Sequence, residues 1–503
     1  MPTSTASAAK SAPTTVEIPE LSGVHAEPPS VAKLFRLLRS FGPAALLASL
    51  SIGAGETIMV TGLGAWAGYD LLWLLVASVL VKGIVVTYFI GRYTAVTGQV
   101  FAHRLAMLPG PRGWLLLLIV IAELSLISMG LTAVAKPCGN LVAYVLTDYL
   151  PPWMGFSSWE NLMATLLLAA ALVSSALSSY NALERQQVLI CGILAGGTFA
   201  AMAMIGPDLG KLLTGAVSFG QLPPAPPWAP PAARNSYLLN LVTVFGFVGG
   251  SLSGYLAYSQ WISLHGWGLT GHPDLARIRQ LAEAQPRIDY LPADRASVRR
   301  MRALLAPLRW DITLGALVLL VVTAAFMSSG AEVLYPRRQV LSGDGFELLT
   351  KQASIWRQIH QHLVPVYYVV VVAALWGTLA TVPEAVCRVA HDFLGSAWAP
   401  FRRVPLAGFQ GVVSIWLFLT SLLWIWTGVS FDLLTQIGAF LTLSLGLGIV
   451  CLAAVYFNAT LPRLYRPHVI TLLAGAAASL ILLGCAGVSG IALARKLLAA
   501  WST

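Results

Sequence analysis

The chain has 503 residues, 57% of them hydrophobic and only 10% charged, with a mean hydropathy of +0.74. A soluble domain carries about 25% charged residues, so this composition excludes a water-soluble globular fold and points to an all-α polytopic membrane protein. The net charge of +10 is no nucleic-acid signal, because the basic residues gather in the segments on one side of the predicted spans; the expected partner is the lipid bilayer, with no nucleic acid.

Residues 1–33 are rich in Ser, Thr, Ala and Pro and lack a central apolar stretch. They read as a disordered cytoplasmic tail and not as a signal peptide. Eleven spans follow, near 42–67, 71–94, 114–135, 161–180, 187–206, 238–262, 311–330, 364–386, 407–427, 432–456 and 468–490. Most reach the roughly 20 apolar residues that a bilayer requires. With the N-terminus in the cytoplasm, about two-thirds of the Lys and Arg fall inside, as the positive-inside rule demands. The densest group runs from Arg277 to Arg309 in the loop after the sixth span, where it acts as a topology determinant beside anionic lipid. The run Leu222–Pro231 (LPPAPPWAPP) is a stiff connector on the outer side. It lies where two five-helix halves would join, within a connector at 207–237. Residues 344–362 have the pattern of an amphipathic helix at the outer surface.

Two of these spans are interrupted at their middles. The first contains Gly53-Ala54-Gly55-Glu56, and the sixth contains Gly249-Gly250-Ser251-Leu252-Ser253-Gly254-Tyr255. Paired broken helices in corresponding places of two halves are the best sequence pointer to a transporter's binding site. Unwound backbone is tolerated at that depth only where it lines a cavity or is buried in protein. Glu56 adds a carboxylate at the first break, and an ionisable group there is a functional hypothesis by default. The substrate-binding candidates are therefore Gly53, Gly55, Glu56, Gly250, Ser253 and Tyr255, with Glu56 also the candidate metal ligand. Ser253 offers a hard hydroxyl oxygen, and Tyr255 offers a phenol and an aromatic face.

A second group of residues forms a candidate charge or coupling network. Lys82 falls near the middle of the second span and Glu123 deep in the third. A lysine at that depth calls for a partner, and Glu56 and Glu123 are the carboxylates at hand. Thr378 and Thr381 in the eighth span precede Pro383-Glu384, with Glu384 placed near the helix end and facing water. The five cysteines are scattered, with no C-x-x-C, so neither a disulfide framework nor a zinc site follows. The histidines form no H-E-x-x-H, and no phosphate loop or nucleophile elbow occurs; no enzyme activity and no cofactor are expected.

Several stretches together resemble the Nramp family of divalent-metal transporters. They are Gly42-Pro43-Ala44, Gly68-Tyr69 with Leu71-Leu72-Trp73, Thr97-Gly98, Ala122-Glu123, Leu461-Pro462-Arg463 and Arg466-Pro467. The resemblance covers roughly residues 34–490. It implies an inverted-repeat fold of the amino-acid/cation symporter kind. One repeat would span 34–206 and the other 238–457, with a peripheral eleventh helix at 468–495 and substrate held between the two breaks. By analogy within that fold class, first-helix carbonyls and eighth-helix hydroxyls such as Thr378 and Thr381 would hold a sodium ion.

Departures from the family pattern fall on the residues that touch metal. Where the family has Asp-Pro-Gly-Asn, this chain has Gly53-Ala54-Gly55-Glu56; where it has Met-Pro-His, this chain has Ser253-Gly254-Tyr255. The thioether, the soft ligand that favours transition metals, is missing. Two acidic positions of the family's third-helix proton path align with Gly130 and Ala133. The expected function is a cell-membrane transporter of a small cation, a hard divalent metal ion such as Mg²⁺ being favoured. The alternatives are a carrier of a small organic solute, sodium-coupled or not, and a non-transporting sensor.

Overall fold

The computed structural model describes residues 15–21, 27, 30, 33, 36–37, 41–284, 288–338, 348–360 and 362–501. Among them there is no strand. Ten helices are long and apolar enough to cross a membrane, and a bent pair supplies an eleventh. In chain order they are α1 (Pro43–Ser51 and Gly55–Ala67, here α1a and α1b), α2 (Leu72–Thr97), α3 (Trp114–Val145) and α4 (Phe156–Leu177). Then come α5 (Tyr180–Ile205) and α6, whose halves are α6a (Tyr237–Phe247) and α6b (Leu252–His265). Next are α7 (Ala306–Ser329, continued by a π turn over Gly330–Leu334) and α8 (Leu363–Ala397). The last are α9 (Leu406–Trp426), α10 (Phe431–Ala459) and α11 (Val469–Leu498).

Burial separates the helices into a core and a lipid-facing rim. Window by window, α6 is 89% buried, whereas α9 is 17% and α11 28% buried. The apolar side chains that α4, α9 and α11 leave exposed, such as Leu177, Val412 and Ile470, face hydrocarbon in a bilayer. The predicted spans are all present, but several helices outrun their apolar windows. The third continues through Pro137 to Val145 and the eighth through Pro383 to Ala397. Neighbouring helices can supply partners for the backbone groups a proline frees.

Regular α-geometry is relaxed at four places: Gly55–Val60 in α1b, Val79–Val86 in α2, Gly330–Leu334 after α7 and Ala439–Gly446 in α10. Single π turns inside α-helices concentrate at functional sites, and the first two of these carry Glu56 and Lys82. The helix expected over 344–362 is present as Leu348–Ile359, and positions 344–347 lie outside the described residues. Its buried stripe of Leu349, Gln352, Ala353 and Trp356 has the i, i+3, i+4, i+7 spacing of an amphipathic helix. Of the expected tail, residues 1–14 lie outside the described residues, whereas Val16 and Ile18 are buried. The Val16 amide donates to the Tyr290 carbonyl at 2.8 Å, and Arg300 reaches the Ile18 carbonyl at 3.5 Å. Part of the expected tail is therefore packed against the segment that precedes α7.

Candidate substrate site at the facing helix breaks

The first helix stops at Ser51 and resumes at Gly55, with a bend of 51°. The sixth stops at Phe247 and resumes at Leu252. The sequence spread the second break over Gly249–Tyr255; the unwound residues are Val248–Ser251, so the break keeps Gly249 to Ser251 while Leu252 onward, Ser253 and Tyr255 included, belongs to α6b. Two features set this register. Gly249 and Gly250 adopt φ of +104° and +95°, which residues with a side chain rarely reach. Ser251 then caps α6b, its hydroxyl accepting from the Gly254 amide at 3.4 Å.

The two breaks pack directly on one another. A Cβ at Gly250 would lie 2.4 Å from the Ser51 hydroxyl, and one at Gly55 would lie 2.9 Å from the Phe247 Cβ. One at Gly53 would lie 2.9 Å from the Thr378 hydroxyl of α8. The glycines picked from the sequence thus permit close approach of three helices.

Glu56 is fully buried, and each of its oxygens takes an amide from a different break. Oε2 accepts from Gly53 at 3.2 Å, and Oε1 accepts from Gly249 at 3.3 Å. The carboxylate is a bracket across the two unwound segments. The Tyr255 hydroxyl, donated to the Gly249 carbonyl, holds the next peptide of the same glycine.

Lys82 pairs with neither of the carboxylates expected of it. Its ammonium donates to the carbonyls of Phe245 and Gly246 at 2.7 and 2.6 Å, at the cut end of α6a. Ser78, about one turn earlier, donates towards Phe245 and Val248 carbonyls at 2.9 and 2.6 Å. The last carbonyls of a helix have no partners within it and carry partial negative charge, so a lysine there finds its countercharge in main chain. Glu123 is buried with neither oxygen hydrogen-bonded, although its carboxylate lies against Ser253 at the start of α6b. A helix N-terminus favours a carboxylate by its dipole.

Between the breaks lies a cavity of about 70 Å³. Its polar side chains are Ser51, Ser251, Thr378 and Thr442, beside Gly53, Gly55 and Gly250 of the breaks; Leu126, Ile127, Leu131, Val134, Phe247 and Val382 close the apolar side. Neither Glu56 nor any other carboxylate belongs to that lining, and neither does a methionine or histidine. Gly130, the position of a family acid, does line it. Thr378 Oγ1 lies 3.3 Å from each of the Ser49, Leu50 and Ile52 carbonyls at the end of α1a. Thr381 is buried with its hydroxyl unpartnered. Among the described residues, no three His, Cys, Asp or Glu side chains come together to hold a metal.

Other functional contacts were not evident in the sequence. Asp311, in the first turns of α7, accepts from the Gly42 and Ala44 amides at 3.0 and 2.9 Å and from the Tyr258 hydroxyl at 2.8 Å. It thereby fixes the start of α1a to α6b and α7. Its only sequence signal was an acid at the edge of an apolar span. Glu384, expected to face water, is buried; it pairs with Arg388 and accepts from the Trp261 indole at 3.2 Å. One turn of helix separates that acid from its base, which is how a carboxylate can stay inside the bundle.

Two broken helices that cross at a small cavity, within an inverted repeat, define a membrane transporter of the broken-helix symporter class. The family description that matches is natural resistance-associated macrophage protein-like, over residues 44–492. The chain belongs to this family, Nramp, and is a transporter of the Nramp type. Among solved structures it is similar to the manganese transporter of Eremococcus coleocola in complex with an aromatic bis-isothiourea compound. The identity there is 15%, with 98% of each chain covered and a TM-score of 0.60. A variant of the same transporter matches at 14% identity, covering 94% of this chain and 96% of that one, with a TM-score of 0.59. Mhp1, a nucleobase-cation-symport-1 family transporter, matches at 15% identity, covering 91% and 93%, with a TM-score of 0.50. No curated protein matches the sequence.

Proposed function

We propose that this chain carries a hard divalent cation that keeps much of its water, Mg²⁺ or hydrated Mn²⁺ in chemistry, through the cavity between the two breaks. The observation that carries this reading is the lining: the hydroxyl-bearing side chains Ser51, Ser251, Thr378 and Thr442 set in an otherwise apolar wall, with no thioether, imidazole or carboxylate among the described lining residues. Mg²⁺ sheds water reluctantly and is bound through oxygens with several waters retained. A water needs about 10–15 Å³ of such space, so the cavity has room for on the order of five water-sized positions. Glu56 would supply the compensating charge from behind the breaks, through the amides it holds, and Gly53, Gly55, Gly250, Ser253 and Tyr255 would shape the site. Membership of a metal-transporter family, and the manganese transporter among its structural relatives, favour a cation over an organic solute.

With Gly130 and Ala133 in place of acids, we expect no stoichiometric proton to pass along α3. In the proposed topology the N-terminus and the 266–309 loop are cytoplasmic and the C-terminus is outside. The repeats over 34–206 and 238–457 would reorient about the breaks. The test is uptake into proteoliposomes from a panel of Mg²⁺, Ca²⁺, Mn²⁺, Fe²⁺ and a small amine, with a pH-sensitive dye inside. Uptake of Mg²⁺ or Mn²⁺ with mutual competition and a silent dye is expected. Selective Fe²⁺ uptake, amine uptake, or no transport by a well-folded sample would overturn the reading. Thiol labelling of Asp274→Cys and Arg495→Cys from one and the same face would overturn the topology.

A further inference from the structure

Lys82 is absent from the cavity lining and, among the described residues, has no carboxylate within ion-pairing distance, yet it is 0% exposed. Its surroundings have the character of a cation site. Two main-chain oxygens lie at 2.7 and 2.6 Å from the ammonium, and the Phe245 ring centroid lies 5.5 Å away. These are the ligands that a desolvated monovalent cation takes: carbonyl dipoles at the negative end of a helix and an aromatic face. Space for the lysine comes from Gly249, where a Cβ would sit 3.1 Å from Lys82 Cε and 3.5 Å from Nζ. Ser78 satisfies the neighbouring carbonyl of Val248, so only the position filled by Nζ calls for a charge. The other ionisable groups facing Lys82 are Glu56 from α1b and Cys485 from α11.

We propose that Lys82 is a tethered cation: its ammonium permanently occupies a main-chain cation position at the cut end of α6a, so that this position takes neither cargo nor coupling ion, and removing the side chain opens a site for a small monovalent cation. The two breaks then contain one fixed positive and one fixed negative charge, Lys82 and Glu56. The empty carrier holds its broken helices together without an ion from solution. The cargo cavity is lined by other residues, and the inference stands whether or not that cavity carries a divalent metal.

The experiment follows thermal unfolding of purified Lys82→Ala in detergent while methylammonium, ammonium or K⁺ is titrated against N-methylglucamine at equal ionic strength. The expected result is a lowered melting temperature that methylammonium restores saturably, with N-methylglucamine inactive and the parent chain unresponsive. Where Lys82→Ala folds only when methylammonium is present throughout purification, that dependence is itself the expected rescue. Lys82→Met fills the volume without charge, and it should remain destabilised and unrescued because its thioether blocks the position. Lys82→Ala responding to methylammonium no more than the parent does, or Lys82→Met melting with the parent, would show that Lys82 only fills space and would overturn the proposal. No transport is measured, so a failure here is distinct from a failure of the divalent-cation reading.

Discussion

Replacing Glu56 with Gln changes one atom and should disable the bracket between the two breaks. The carboxylate accepts from Gly53 through one oxygen and from Gly249 through the other. An amide keeps a single oxygen, so one of the two backbone N–H groups must face an NH₂ donor. A hydrogen bond to a charged group contributes about 1.5–3 kcal/mol, and a buried donor left without an acceptor costs about 1–3 kcal/mol. Against this stands the easier burial of a neutral group. The net loss expected is about 2–4 kcal/mol, a fall in melting temperature of about 2–4 °C for a chain of this size. Removing the negative charge behind the cavity should also weaken cation binding roughly tenfold to a hundredfold. Both are measurable on purified protein, by thermal unfolding with and without Mg²⁺ and by titration calorimetry. Because Lys82 bonds main-chain carbonyls and not Glu56, the double variant Glu56→Gln with Lys82→Met should recover neither property. A single variant that melts and binds like the parent, or a double variant restored to parental stability, would refute the bracket.

Further outcomes follow from the same geometry. Gly130→Asp should fold, since a Cβ there meets nothing within 4 Å, and its carboxylate in the cavity should tighten Mn²⁺ or Mg²⁺ binding at least tenfold by calorimetry. Gly250→Ala should be destabilised by at least ~1–2 kcal/mol for the left-handed backbone alone, and further by the contact with Ser51, as thermal unfolding would register. Asp311→Asn should loosen the start of α1a, so that Pro43–Ser51 amides exchange with deuterium faster than in the parent. Asp294 caps the helix Arg295–Leu304 by accepting from the Ser297 amide at 2.7 Å, a bond that holds its carboxyl below the usual aspartate range. Its folded-state value is depressed, so its contribution is present above the unfolded-state value near 3.9 and fades as pH falls through the folded-state value. Asp294→Asn, which can still cap, should therefore flatten the acid limb of the stability profile while leaving stability at pH 7 nearly unchanged.

Much of the architecture is set by the sequence itself, because it is dictated by local quantities. Whether about 20 consecutive residues are apolar enough for hydrocarbon depends on those residues alone, and so do the interruption of two of them by glycine and the side on which arginines collect. That is why the spans, the paired breaks, the amphipathic helix at Leu348–Ile359 and the importance of Glu56 can be read from composition and spacing. Which atoms meet at the breaks is a different kind of quantity. Lys82 was assigned a carboxylate by charge, yet the end of α6a, 163 residues away in sequence, offers carbonyls that serve it equally well. Glu56 reads as a cargo ligand, yet folding brings the Gly249 amide to it across 193 residues, and Glu56 is not among the residues that line the cavity. Asp311 and Glu384 sat near span edges where water would suffice, and their roles arise only because Gly42, Ala44, Tyr258, Arg388 and Trp261 converge on them. In a bilayer every buried polar group must find a partner within the protein; the sequence determines that such partners must exist, and only the packing of α1, α2, α6, α7 and α8 decides which they are.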